Sequence, residues 1–237
     1  IHSEGVGYEG INLAAADEKH IYVCNNRGAN KTAVAEQAVM LMLMVLRHAV
    51  TGHNRVLEGR QIEAKASWSM EGISELGSMH VGIIGMGDIG IETAKLLNAL
   101  DMEVIAYDAH ESEAGKKLAE YVSLDELFAR SDVIFLHCPL FPATEGIINK
   151  ENIAKMKDGV ILINNSRGQL VVEQDLADAL NSGKVYAAGL DVVSTEPIKG
   201  DNPLLTAKNC IITPHISWAA QASRQRIMDI TVDNIKS

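Results

Sequence analysis

An α/β fold, a doubly wound parallel sheet with helices on both faces, is what this 237-residue sequence predicts. Three observations carry the prediction. From about residue 81 onward, short β-rich runs alternate with helical segments, as parallel strands joined by crossover helices do. Several of these runs are apolar at consecutive rather than alternate positions, which is the pattern of strands covered on both faces. The first run leads into Gly85-Met86-Gly87-Asp88-Ile89-Gly90, a glycine-rich turn of the Rossmann type.

Taken in chain order, the first strong element is Thr32 to Ala49, which predicts one long helix. Its second half is apolar nearly all round and so requires cover on most sides. Residues 51–78 contain Gly52, Gly59, Gly72 and Gly77 and little periodicity, which predicts a long connection. Strands are expected at Val81 to Gly85, Glu103 to Tyr107, Asp132 to His137, Gly159 to Asn164, Val185 to Leu190 and Cys210 to Thr213. The glycine-rich turn opens a helix through Leu100. Ser123-Leu124-Asp125-Glu126 has the spacing of a capping box and opens a short helix to Arg130. Glu173 to Asn181 places Leu176, Ala177 and Leu180 on one face, and Gly183 lies where that helix would stop. No internal repeat or low-complexity tract interrupts the pattern.

Composition narrows the class. With 47% hydrophobic and 22% charged residues the chain is an ordinary globular one. A net charge of -10, with no Lys/Arg cluster, argues against a nucleic-acid partner. The most apolar stretch, Ala38 to Leu46, is far shorter than the roughly 20 residues a membrane span needs, so no membrane partner is expected. Cys24, Cys138 and Cys210 are odd in number, far apart and flanked by apolar residues, which reads as buried thiols in a reducing, cytoplasmic setting. Ile1-His2-Ser3-Glu4 has no basic region leading into an apolar one, so no signal peptide is expected, and a start without Met reads as a trimmed chain. No metal site is expected.

The turn at Gly85, Gly87 and Gly90 has a physical logic. The first glycine permits the tight turn, the second lets backbone approach a pyrophosphate, and the third lets helix and strand pack closely. The helix N-terminus then faces the negative charge. Alone, such a turn is equally often structural. Here Asp108 ends the next strand, 18 residues beyond Gly90, where an acid would hydrogen-bond the ribose hydroxyls of a dinucleotide. A carboxylate there repels a 2′-phosphate, and neither Ala109 nor His110 supplies an Arg to receive one, so NAD is preferred over NADP. The plainer reading of Asp108 is a strand-end turn residue.

Three further segments end strands on the same carboxyl edge of the sheet: Asn164 to Gly168, Leu190 to Pro197, and Thr213-Pro214-His215. Ligands of open α/β sheets bind beyond that edge, so Arg167, Glu196 and His215 are expected to converge. Arg167 offers a fork of donors for a substrate carboxylate and its neighbouring carbonyl. His215 can give a proton to a carbonyl oxygen and take it back. Glu196 can bond the other imidazole nitrogen and favour the charged ring. Each is more often structural when taken singly; the set, in this order, points to reduction of a 2-oxo acid.

These residues resemble the D-isomer-specific 2-hydroxyacid dehydrogenases, the family of phosphoglycerate dehydrogenase, hydroxypyruvate reductase and D-lactate dehydrogenase. The resemblance is carried by Gly85 to Gly90, Leu136-His137-Cys138-Pro139-Leu140, Asn165-Ser166-Arg167-Gly168, Asp191 with Glu196-Pro197, and Thr213-Pro214-His215. Less specific are Gly5-Val6-Gly7-Tyr8-Glu9-Gly10-Ile11-Asn12, similar to the family's carboxylate-binding loop, and Ala33-Val34-Ala35-Glu36, similar to the start of its hinge helix. The resemblance implies that Arg167, Glu196 and His215 are catalytic and that Asp191 sits near the nicotinamide amide. It implies that Val6, Asp88, Ile89, Cys138, Pro139, Asn165, Ser166, Ser217 and Trp218 line the NAD cofactor. Val6 and Gly7 would hold the substrate, a small 2-hydroxy or 2-oxo acid, together with Arg167. The run His215-Ile216-Ser217-Trp218-Ala219 is most similar to the hydroxypyruvate and glycerate branch, and the long helix suits the family's homodimer.

The resemblance also implies a division of the chain. Residues 1–24 read as a remnant of a substrate domain, 25–213 as the NAD-binding domain, and 214–237 as the catalytic His loop and a helix, Trp218 to Ile235, that returns to the substrate domain. Asp88 departs from the family, which often has Arg there, and a carboxylate beside a pyrophosphate is unfavourable unless it turns away or caps the helix. Two rival readings stand beside this one. Formate dehydrogenases are disfavoured because they carry Gln where this chain has Glu196. An NAD-sensing, corepressor-like binding module without turnover is the stronger alternative.

Overall fold

Seven parallel strands form one sheet in the computed structural model, which describes residues 1–8, 10–71 and 75–236. The strands are β1 (His80–Ile84), β2 (Glu103–Tyr107), β3 (Glu120–Tyr121), β4 (Val133–Leu136), β5 (Val160–Asn164), β6 (Val185–Leu190) and β7 (Cys210–Ile212). Their order is β3-β2-β1-β4-β5-β6-β7, the doubly wound arrangement with its reversal between β1 and β4. All six expected strands are present, with ends that move by one residue where a strand runs into a loop. The seventh, β3, escapes sequence reading because two residues without an apolar run carry no periodicity.

Alternation within each strand divides the core. Ile84, Ile134, Leu136 and Leu162 face one side with Leu127, Phe128, Leu176 and Leu180, while Ile83, Phe135, Ile161 and Ile163 face the other with Leu41, Met42, Val45 and Leu97. The first layer belongs to helices α7 (Leu124–Arg130), α8 (Lys150–Lys155) and α9 (Glu173–Ser182). The second belongs to α2 (Lys31–Leu46) and α5 (Asp88–Ala99). Consecutive apolar strand residues are thereby used on both faces, each contributing roughly 1.5–3 kcal/mol when fully buried. The predicted caps hold: Ser123 Oγ accepts from Glu126 N, and Gly183 ends α9 at a φ of 84°.

Two expectations are corrected. The helix expected over Thr32 to Ala49 stops at Leu46 and resumes as α3 (Ala49–Leu57), bent by 56°. The break is His48, at a φ of 50°, whose Nε2 lies 2.7 Å from the Tyr186 hydroxyl on β6. The connection expected over 51–78 is largely helical, comprising α3, α4 (Gln61–Glu71) and a 3-10 turn at Leu76–Ser78. No residue of α3 is buried, so that helix adds nothing to the core. Gly72 and Glu9, named above, lie outside the described residues. Among the described residues no single helix is long and apolar enough to cross a membrane. Cys138 is buried, whereas Cys24 and Cys210 are only partly covered, and all three are free thiols.

Short helices α1 (Leu13–Glu18) and α6 (Glu113–Lys116) complete the set before the last, α10 (Gln221–Lys236). This helix starts three residues later than expected and buries only Ser223. Its ties are polar and run to the start of the chain: Thr231 Oγ1 meets His2 Nε2 at 3.0 Å and Asn26 Nδ2 at 3.2 Å, and Asn234 Nδ2 donates to Asn25 O at 3.3 Å.

Candidate active site

Gly85 turns at a φ of 99°, and a Cβ on it would lie 2.4 Å from Cys138 N. A Cβ on Gly90 would lie 2.2 Å from Gly85 O, so strand and helix approach as closely as the sequence requires. At Gly87, by contrast, a Cβ would meet nothing within 4 Å. The middle glycine therefore borders open space at the N-terminus of α5, the shape and polarity a pyrophosphate needs. Ile89 lies half-buried in the first turn of that helix. Asp108 follows β2 and closes this loop: its Oδ2 accepts Met86 N at 2.6 Å and its Oδ1 accepts His110 N at 2.9 Å. Asp88, the departure from the family pattern, does not stand as an isolated negative charge. Arg27 Nε donates to its Oδ2 at 3.1 Å, although both side chains remain well exposed.

Behind the loop, His137 Nε2 and Thr93 Oγ1 are 2.9 Å apart, tying the end of β4 to α5. Burial holds the His137 imidazole at about 3, so the ring is neutral. The Cys138 thiol is pushed up to about 12 by the same cause, so it is an uncharged group beyond the end of β4. Pro139 follows on the exposed side, its carbonyl accepting from Thr144 Oγ1 at 2.7 Å. Ser166 Oγ donates to Cys138 O at 2.7 Å and joins the ends of β4 and β5.

At the end of β5, Asn164 folds the turn that presents Arg167: its Oδ1 accepts Ser166 N at 3.1 Å and its Nδ2 donates to Arg167 O at 2.9 Å. Arg167 Nη1 donates to Ser166 O at 2.8 Å. Asn165 is buried, donates to Val34 O at 2.7 Å, and leaves its Oδ1 without a partner among the described residues. A Cβ on Gly168 would come within 2.0 Å of Val193 C, so the residue after Arg167 presses directly on the loop that carries Glu196.

That loop and the one after β7 meet. His215 Nδ1 donates to Glu196 Oε2 at 2.8 Å, which leaves Nε2 of a half-exposed ring for a ligand. His215 stands at a φ of 55°, a left-handed conformation that costs a non-glycine residue about 1–2 kcal/mol. Asp191 supplies what holds it there. This carboxylate is 1% exposed and accepts from the Thr213 hydroxyl, Ile216 N at 3.1 Å, Ser217 N at 2.8 Å and Ser217 Oγ at 2.5 Å. Asp191 thus braces the segment that carries His215. Trp218 is exposed, with its Nε1 donating to His215 O at 3.0 Å.

At the start of the chain, the Val6 and Gly7 carbonyls accept from Asn25 Nδ2 at 2.8 Å and Ser3 Oγ at 2.6 Å. Sequence reading missed Asn164, Arg27, Thr93 and the bracing role of Asp191. Only Asn164 carries a local signal, an Asx residue at a strand end followed by a turn. Among the described residues no three His, Cys, Asp or Glu come together as a metal site. The glycine loop, Asp108 and the unpartnered Asn165 Oδ1 fit a dinucleotide, and the His215 imidazole lies on the same edge of the sheet.

Comparison with known proteins agrees with this chemistry. Residues 39–217 match the family model described as the NAD-binding domain of D-isomer specific 2-hydroxyacid dehydrogenases. A hydroxypyruvate reductase of Blautia hydrogenotrophica is 57% identical over 233 residues, covering 97% of this chain and 72% of the relative. A hydroxypyruvate reductase of Thermotoga maritima is 44% identical, covering 94% and 72%. The structure of a D-lactate dehydrogenase from Aquifex aeolicus, complexed with NAD and lactic acid, superposes with a TM-score of 0.90 at 34% identity, covering 100% of this chain and 74% of that one.

Proposed function

This chain belongs to the D-isomer specific 2-hydroxyacid dehydrogenases, and on that premise we propose that it reduces hydroxypyruvate, or a closely similar small 2-oxo acid, through Arg167, Glu196 and His215. It is an NAD-dependent oxidoreductase acting on 2-hydroxy acids, and its relatives lend no support to a binding module without turnover. The observation that most supports the assignment of roles is the 2.8 Å pairing of His215 with Glu196 beyond the sheet edge.

NADH, when bound, would supply the hydride for the reduction. Gly85, Gly87 and Gly90 would hold its pyrophosphate and Asp108 its adenosine ribose. Cys138, Pro139, Asn165, Ser166, Ser217 and Trp218 would line the remainder. Arg167 pairs its guanidinium with the substrate carboxylate and polarises the adjacent carbonyl. Val6 and Gly7 hold the same carboxylate from the other side. His215 Nε2 delivers its proton to the carbonyl oxygen, completing the alcohol. Glu196 fixes the ring by accepting from Nδ1, which leaves Nε2 as the nitrogen that faces substrate. The reverse reaction returns that proton to Nε2.

The same reading keeps residues 1–24 as substrate-domain chain, 25–213 as the NAD-binding unit and 214–237 as the His loop and returning helix, supported by the ties of α10 to His2, Asn25 and Asn26. It includes a cytoplasmic location, supported by three free thiols, and a homodimer, supported by exposed Met40, Leu43, Val56 and Leu57 on α2 and α3. The test is NADH consumption with hydroxypyruvate, glyoxylate and pyruvate. Fastest turnover of hydroxypyruvate is expected; no turnover of any of the three overturns the reading.

A further inference from the structure

The loop carrying Glu196 is anchored by buried Val192 and Val193, but its tip is not. Thr195, Glu196 and Pro197 are all exposed, so the position of the tip depends on polar contacts at its flanks. One side chain makes most of them. Glu173, the first residue of α9, accepts Ser194 N at 2.7 Å on Oε1, and accepts Ser194 Oγ at 2.8 Å and Asn202 Nδ2 at 2.9 Å on Oε2. Ser194 lies two residues before Glu196 and Asn202 six after, so a single carboxylate grips both shoulders of the loop. Gln169 Nε2 adds a contact to Ser194 O at 3.1 Å, and Val193 N donates to Glu196 Oε1 at 3.3 Å.

An acidic residue at the start of a helix ordinarily serves the helix dipole. Glu173 does more than that, since both of its oxygens are engaged by residues 21 and 29 positions away. Hydrogen bonds to an ionised carboxylate are roughly twice as strong as neutral ones. Shifting Ser194 moves Glu196, and a shift of about 1 Å in a proton-transfer pair lowers the rate steeply.

We propose that Glu173 is a positioning residue that sets the register of Glu196 against His215, an inference that rests on the assignment of that pair to proton transfer. The test is a double-mutant cycle with full-length protein, measuring kcat for reduction, KM for the 2-oxo acid, NADH affinity by fluorescence and Tm. Glu173→Ala is expected to lower kcat about tenfold, a loss of about 1.4 kcal/mol in the barrier, with NADH affinity unchanged and KM moved less than about twofold. Placed on Glu196→Gln, the same substitution is expected to add almost nothing, because its effect passes through Glu196. Glu173→Gln, which still accepts Ser194 N–H, is expected to fold and to keep an intermediate kcat, and it carries the cycle if Glu173→Ala does not fold. Equal losses from either Glu173 variant in both backgrounds, or a fall in Tm with kcat unchanged, would overturn the proposal. Should Glu196→Gln by itself leave kcat unaltered, the assignment of the pair fails instead, and the proposal fails with it.

Discussion

Asp108 and Met86 join the two halves of the dinucleotide site: the Asp108 carboxylate accepts the Met86 amide at 2.6 Å across the gap between β2 and the glycine turn. A carboxylate has about four acceptor positions. Two are used here, by Met86 and His110, which leaves capacity for ribose hydroxyls. Asp108→Ala should therefore narrow the preference for NADH over NADPH by roughly tenfold or more, one lost charge-assisted hydrogen bond being about 1.5–3 kcal/mol. It should also weaken NADH binding by loosening the turn. The measurement is kcat/KM with each cofactor, and equal use of NADPH by the wild type would refute the role of Asp108.

Arg167→Ala should reduce turnover by roughly 10²- to 10³-fold, the cost of removing a donor that stabilises developing charge on a carbonyl. NADH binding should stay within about twofold of wild type, because the role assigned to Arg167 is toward the substrate. Fluorescence titration separates the two effects. Loss of NADH binding would place Arg167 in the dinucleotide site.

Glu196→Gln retains a hydrogen-bond acceptor for His215 but removes the carboxylate charge beside the ring. Reduction should slow by up to roughly 100-fold at neutral pH, the low end of what general acid catalysis contributes, while Tm changes little because the pair is half exposed. An unchanged reductive rate would remove Glu196 from the mechanism.

His137 predicts a pH effect on stability. Burial lowers its folded value to about 3 from an ordinary 6.5, so the unfolded chain binds a proton that the folded chain refuses between those limits. Its contribution is present above about pH 6.5 and is lost as pH falls toward about 3, reaching about 2 kcal/mol at pH 5. Urea unfolding of wild type and His137→Gln at neutral pH and at pH 5 checks this. The gap between the two proteins should shrink at the lower pH. A gap independent of pH would mean that the ring is not buried neutral.

Much of this protein was legible from local chemistry. Consecutive apolar residues marked β1, β4 and β5 as central strands, because only a strand covered on both faces can use Val133, Ile134, Phe135 and Leu136 together. Gly85 and Gly90 were informative because a Cβ on either would fall within 2.4 Å of backbone, whereas Gly87 borders open space. The break at His48 was not legible, since it depends on a tyrosine 138 residues away. Nor was α3, none of whose residues is buried.

What the sequence determined by itself is the alternation of strands and helices, the glycine turn, and the placement of Arg167, Glu196 and His215 after strands on one sheet edge. These follow from periodicity and short-range sterics, which act within about ten residues of chain. Tertiary structure alone decided how the edge is assembled. It made Asp191 the brace of residues 213–217, paired Asp88 with Arg27, and set His215 at a left-handed φ within 2.8 Å of Glu196. Each of these hydrogen bonds joins residues 19 to 61 positions apart, and their geometry exists only once the packed sheet has fixed where the loops begin and end.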